Sequence, residues 1–383
     1  MKVFVGVGLG PIQTGIFLSG AAKGNFDRIV IAEVDDKIKD AINSSGGKVT
    51  VNIAADDGIY SESYENVEVY NPMIDSERKK LVLAASEACE LATALPSVKF
   101  FGPTAEWMRE GFELNPDKQR FIYTAENNNE AAEELEKAVA KDFSDTHYLN
   151  TVVGKMSGVT SAEECRKLDL KELCPGAGRG HLVEQFNNIL ISACPGIENR
   201  QVQDLSAKQN LYPFEEAKLY GHNAIHFLLG CLGEQAGKEY MSELRSITEI
   251  MEKGRAAFID ECGAALCEKW KGTDELFTPA GFQAYAENLL ERMTNPFLQD
   301  AISRITRDLP RKLSWNDRVI ATIRTVMGQG IEAQILKEGA ILAIADEFGE
   351  DEDKAKCGLQ ALWADAPAVE QQAVLDFIFK KVK

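Results

Sequence analysis

The first thirty-odd residues constrain the fold more than any other stretch. Residues 2–7, Lys-Val-Phe-Val-Gly-Val, form an apolar run ending in glycine-rich sequence. Such a run predicts a buried strand. Gly8-Leu-Gly10-Pro-Ile-Gln-Thr-Gly15 then makes a turn, and a helical stretch follows from about Ile12 to Lys23. Arg28 to Glu33 reads as a second buried strand. Strand, helix and strand in so short a span make a βαβ unit, and a βαβ unit demands a parallel sheet.

Further strands are expected over 48–53 and 66–70, and helices over 37–44 and 76–93. Arg120 to Ala125 reads as a strand running into a polar cluster, and 183–192 as the last strand-like segment. After Pro195 the periodicity becomes helical, over 217–233, 237–267, 279–293, 298–307, 317–327 and 333–348. The expected architecture is α/β: a Rossmann-like dinucleotide-binding domain over 1–193, then a mainly α-helical substrate and catalytic domain over 194–383. A chain of 383 residues is long enough for two or three domains with cores of their own. The acidic cluster over 346–353 lacks the loop order of a calcium site and reads as a solvated loop.

The turn between the first strand and helix has the composition of a phosphate cradle. Glycines permit a tight turn and a close backbone approach, and the helix start adds unpaired N–H groups. The spacing is near Gly-x-Gly-x-x-Gly, but Gln13 stands at the third glycine position and Gly15 lies two residues later. Glu33 ends the second strand, where a carboxylate can accept both ribose hydroxyls and repels a 2′-phosphate. No arginine follows it, so NAD is expected rather than NADP. The expected cofactor set is Gly8, Gly10, Ile12, Gln13, Glu33 and Thr93.

A second constellation opens the helical half. Pro213-Phe-Glu-Glu-Ala-Lys-Leu-Tyr-Gly-His-Asn-Ala-Ile-His226 starts with proline and two glutamates, which suit a helix N-terminus. At about 100° per residue, His226 falls about 80° and Asn223 about 140° around the axis from Lys218. All three can face one cleft. A lysine whose pKa is lowered by burial can take a hydroxyl proton, an asparagine amide can donate to a developing alkoxide, and a histidine can hold a neighbouring hydroxyl. Taken singly, each is more commonly a solvated lysine or a satisfied core histidine; together with a dinucleotide fold they point to alcohol oxidation by hydride transfer.

Net charge is −18, which argues against a nucleic-acid partner. The eight cysteines form no Cys-x-x-Cys pair, and the four histidines form no zinc pattern with them. Reduced thiols, no metal and a cytoplasmic location are expected. There is no signal-like N-terminus and no apolar run of the ~20 residues a membrane span needs. Against that acidic background, Arg304, Arg307, Arg311, Lys312 and Arg318 form the densest basic stretch. It suits an anionic substrate.

The Lys218, Asn223, His226 spacing resembles the signature of the polyol-specific long-chain dehydrogenases. The approach Pro213-Phe-Glu-Glu-Ala-Lys, the segment Arg292-Met-Thr-Asn-Pro-Phe and the run Arg304–Arg318 are similar as well. Length, domain order and the last segment look most like the family's short, phosphate-using branch. The resemblance implies Lys218 as general base, Asn223 as one oxyanion donor, and Asn127, after Glu126, as the other. It implies His226 as substrate holder and Arg304, Arg311 and Lys312 as substrate contacts. Glu215 matches a glutamate that in part of the family influences proton exchange with the lysine. A monomer is implied too. Two departures stand out: Pro11-Ile-Gln-Thr14 in the glycine turn, and Val153-Gly-Lys-Met-Ser157 in place of an Asp-Arg pair.

The expected reaction is NAD-linked interconversion of a polyol phosphate and a ketose phosphate, such as mannitol 1-phosphate and fructose 6-phosphate. An unphosphorylated polyol or a hexonate is the alternative substrate, and a non-catalytic NAD-binding sensor the alternative of another class.

Overall fold

The computed structural model describes residues 1–380. The chain folds into two compact units, Met1–Leu211 and the residues from Tyr212 onward.

The first unit contains twelve strands: β1 (Val3–Val7), β2 (Arg28–Ala32), β3 (Val49–Ala54), β4 (Ile59–Tyr64), β5 (Val67–Tyr70), β6 (Ala88–Thr93), β7 (Arg120–Thr124), β8 (Thr146–Val152), β9 (Ser157–Ser161), β10 (Arg179–Glu184), β11 (Ile189–Ser192) and β12 (Leu205–Lys208). Eight of them form one sheet in the order β12-β11-β8-β7-β6-β1-β2-β5. All its pairings are parallel except that of β11 with β8. β1 lies between β2 and β6, so the chain leaves it first to one side and later to the other. Val3, Val5 and Val7 belong to the core on one face of the sheet and Phe4 to the core on the other. That explains the unbroken apolar run, since a parallel strand covered on both faces has no solvated side to carry polar residues.

A second sheet in this unit has the order β4-β3-β10-β9. β10 runs parallel to β3, and the other two pairings are antiparallel. The strand expected over 183–192 is thus two strands in two different sheets, β10 and β11. The helix expected over 76–93 also divides. It is helical from Asp75 to Glu87, and Ala88–Thr93 is β6, the strand beside β1. Its sequence, Ala-Cys-Glu-Leu-Ala-Thr, has little β-branched content and continues the preceding alanines, so local preference favours helix. Burial between β1 and β7 overrides it.

The division between units falls after Leu211 rather than at residue 194, because β12 pairs with β11 and extends the large sheet. The second unit is helical among its described residues. Its first helix runs from Tyr212 to Gln235, with a π-helical segment over Ala217–Asn223. The stretch 237–267 is not one helix: Met241–Ser246 is a 3-10 turn, and a helix with a π segment at Ala257–Gly263 occupies Thr248–Lys269. The acidic cluster is not a continuous loop either. Asp346 to Phe348 ends the Gln334–Phe348 helix, and Asp351 caps the next one, Glu352–Leu362, by accepting from the Lys354 N–H.

Candidate functional site

A cavity of about 640 Å³ opens at the ends of β1, β2 and β6. Val7 to Ile12 line it from the turn after β1, Ala32 to Val34 from the end of β2, and Ala94 to Pro96 from the segment after β6. These are the carboxyl ends of parallel strands at the point where the strand order reverses, the place where open α/β sheets bind ligands. Its volume suits a cofactor-sized molecule.

The turn is built for close approach. Gly8 has φ +81°, and a Cβ there would stand 3.0 Å from the Ala94 carbonyl oxygen. Gly10 lines the cavity, and no protein atom lies within 4 Å of where its Cβ would be. The first helical N–H to find a partner in the helix is that of Thr14, on the Gly10 carbonyl. Pro11 has no N–H, which leaves those of Ile12 and Gln13 without an acceptor in the helix. Glu33 also lines the cavity, and one of its oxygens accepts from the Asp35 N–H at 2.9 Å.

Two expected cofactor residues do not line this cavity. Gln13 is fully buried against β1: a Cβ added at Gly6 would come within 2.1 Å of its Nε2. The third glycine of such loops serves close helix–strand packing. Here Gly6 in the strand makes the room instead. Neither amide atom of Gln13 has a hydrogen-bond partner among the described residues. Gly15 packs elsewhere, since a Cβ there would meet Val183 of β10 at 2.8 Å. Thr93 is also fully buried, and its hydroxyl donates to Glu126 at 2.9 Å. The other Glu126 oxygen accepts from the Leu95 N–H at 2.8 Å. Burial raises the Glu126 carboxyl above the usual range despite these donors. Thr93 therefore anchors the segments after β6 and β7, and Asn127 sits exposed just beyond Glu126.

The second unit has its own cavity, of about 230 Å³. Asn223, His226 and Phe227 line one side; Arg304, Arg307, Arg311, Lys312 and Arg318 bring five cations to the rest, with Asp308 as the carboxylate among them. Of the residues expected from this half, Asn223, His226, Arg304, Arg311 and Lys312 share one lining, and Lys218 and Glu215 are outside it. Lys218 is near it: burial, with the Arg318 charge alongside, pulls its ammonium down to about 8, while Glu215 opposes the shift.

The π segment changes the geometry expected of an α-helix. A π-helix joins residues five apart, so Lys218 and Asn223 are brought over one another instead of about 140° apart. Such one-turn expansions are rare and concentrate at functional sites. The rest of the helix is locked. Ala224–Gln235 is almost wholly buried, and Cβ atoms added at Gly230 or Gly233 would strike Ile305 or Ile302 below 3 Å.

The lysines differ. Burial first, and then Arg318 and Arg311, pull Lys312 down to about 8 as well. Yet its Nζ donates to the Ile305 carbonyl at 2.6 Å and also to that of Arg307. Two carbonyl acceptors favour the ammonium, so Lys312 holds the loop together. Arg304 is bonded to Asp300, Arg311 to Asp308 and Asp317, and Arg318 to Asp317. Arg307 is exposed and pairs with no carboxylate among the described residues.

Sequence reasoning missed Asp300. It is buried, its Oδ2 lies 3.0 Å from His226 Nε2, and its Oδ1 accepts from Arg304. Burial alone would raise this carboxyl, but His226 and Arg304 outweigh it and hold it below the usual range. Its only signal is the i, i+4 spacing to Arg304. Replacing a charged partner costs roughly 1.5–3 kcal/mol. Asp300→Asn is therefore expected to raise the polyol KM about tenfold or more, with kcat less affected, in steady-state assays. An unchanged KM would remove Asp300 from the site.

Residues 210–374 match the model of the mannitol dehydrogenase C-terminal domain. A mannitol-1-phosphate 5-dehydrogenase of Clostridium acetobutylicum is 28% identical over 352 residues, covering 90% of this chain and 87% of that one. One of Brevibacillus brevis is 32% identical over 155 residues, 40% of this chain and 39% of its own length. Among solved structures, Pseudomonas fluorescens mannitol 2-dehydrogenase in ternary complex with NAD and D-mannitol is 13% identical, with a TM-score of 0.68 over 100% of this chain and 95% of that one. At that identity the likeness is one of fold. Residues 210–374 thus make up a mannitol dehydrogenase C-terminal domain, and the chain is similar to polyol-specific long-chain dehydrogenases over most of its length. Relatives matched over 88–97% of the chain include mannitol-1-phosphate 5-dehydrogenases.

Proposed function

We propose that the chain is an NAD-dependent, metal-independent oxidoreductase that interconverts mannitol 1-phosphate and fructose 6-phosphate. The observation that carries this reading is the single cavity lined by Asn223, His226 and five cationic side chains. The cavity at the ends of β1, β2 and β6 fits a dinucleotide, because its bare Gly10 backbone and Glu33 stand where pyrophosphate and ribose would lie. The bound nicotinamide would supply hydride acceptance in one direction and donation in the other.

The chain's own residues then handle the proton and the charge. Lys218 Nζ, poised near 8, takes the proton of the substrate hydroxyl during oxidation and returns it during ketone reduction. The Asn223 amide donates to the oxygen as negative charge grows on it. Asn127, from the loop after β7, is the proposed second donor. His226, whose Nε2 lies 3.0 Å from the Asp300 carboxylate, orients a neighbouring hydroxyl. Arg307 and the outward N–H groups of Arg304 and Arg311 hold the phosphate, with Lys312 bracing their loop.

Steady-state assays with NADH test the reading. Fructose 6-phosphate is expected to be reduced with far higher kcat/KM than fructose. Arg307→Ala should raise the KM for the phosphorylated ketose about 10- to 100-fold, by loss of charge-assisted hydrogen bonds, and leave fructose reduction unchanged. Turnover of free ketoses or keto acids, with none of fructose 6-phosphate, would overturn the phosphate assignment.

A further inference from the structure

Arg179 belongs to none of the residue sets above, yet it lines the cavity at the ends of β1, β2 and β6. It starts β10, a strand of the second sheet. Alternate residues of a strand share a face. On this one, Val183 packs where a Cβ of Gly15 would stand, and His181 Nδ1 lies 2.8 Å from the Thr14 hydroxyl. Going back along β10 therefore goes back along the first helix towards its start. Arg179 is the next residue on that face, about 6.6 Å past His181 at the rise of a strand, and it reaches the cavity that Gly10 and Pro11 line.

The side chain is uncommitted. It makes no ion pair among the described residues, and its Nε is buried without a hydrogen-bond partner. Glu172, the nearby carboxylate, accepts from the Gly178 N–H. His181 between Arg179 and the helix is neutral, since burial and the Arg179 charge pull it down to about 3. Arg179 is thus the cation of a cavity whose lining also includes the carboxylate of Glu33. An unpaired, partly buried guanidinium beside a bare glycine turn calls for an anion with several oxygens.

We propose that Arg179 binds the pyrophosphate of the dinucleotide, supplying from the second sheet the charge that the turn itself lacks. The proposal rests on the cofactor reading above and deepens it. Glu33 in the same cavity disfavours a ribose 2′-phosphate as the anion.

The test is equilibrium binding of NADH by fluorescence, with ADP, adenosine and NADPH as competitors, to the full chain and to Arg179→Met and Arg179→Lys. Arg179→Met is expected to weaken NADH and ADP about 10- to 100-fold, the loss of charge-assisted hydrogen bonds, and to leave adenosine unchanged. Arg179→Lys should recover part of the loss, and the loss should shrink at high salt. An equal loss for adenosine would overturn the proposal in favour of a structural role, and thermal melting of each variant separates that from misfolding. A loss confined to NADPH would overturn it in favour of the 2′-phosphate. Unchanged ADP binding would remove Arg179 while leaving the cofactor reading standing. If the unsubstituted chain bound neither NADH nor ADP, the cofactor reading itself would fail.

Discussion

Lys218→Ala is expected to lower kcat/KM for polyol phosphate oxidation by about 10²–10⁴, the usual contribution of a positioned general base, with NADH affinity unchanged. The pH profile identifies the base. Oxidation needs the neutral amine, so its rate should rise with pH through about 8 and level off above it. Reduction needs the ammonium and should fall across the same range. Both limbs should vanish in Lys218→Ala. Lys312 sits at a similar value, and survival of the limb in Lys218→Ala with its loss in Lys312→Met would reassign the base. The same shift has a consequence for stability. The folded lysine releases its proton near 8 and the unfolded one near 10.5. Between those values the unfolded chain binds more protons, so Lys218 makes stability rise with pH there. Below about 8 its cost is constant.

Asn223→Ala is expected to lower kcat by about 10²–10³, as removal of one oxyanion donor does, with a smaller change in KM. The asymmetry follows from timing, because the amide meets full negative charge only in the transition state. Asn223→Asp should be worse than alanine, since a carboxylate repels the alkoxide it replaces a donor for. Equal kcat for Asn223→Ala and the unsubstituted chain, in single-turnover measurements with saturating NAD, would remove Asn223 from the mechanism.

Where local pattern and tertiary burial agree, the sequence is transparent. β1 and β2 are apolar runs beside glycines, and the Lys218–His226 helix shows its N-terminal proline and its spacing. Where they disagree it is not. Ala88–Thr93 prefers helix and becomes strand beside β1. The half-exposed β4, with Tyr, Ser and Glu residues, shows no apolar alternation. Gln13 stands where such loops usually pack a glycine against the strand, and nothing in its chemistry announces that Gly6 makes room for it there. The π segment is invisible to any argument that assumes a single helical period. Asp300 needs the fold, because its partner His226 is distant in sequence.

The contact between Gly6 and Gln13 ties two positions into one unit of inheritance. A methyl on Gly6 would overlap both the glutamine amide and the Ile31 side chain, so the bulk at 13 excludes any at 6. A descendant of this chain cannot gain a side chain at 6 before 13 has shrunk. Shrinking 13 alone does not open the site, because the Ile31 side chain would still stand 2.5 Å from the new Cβ. Residue 6, which touches no ligand, therefore governs which glycine turns this lineage can try.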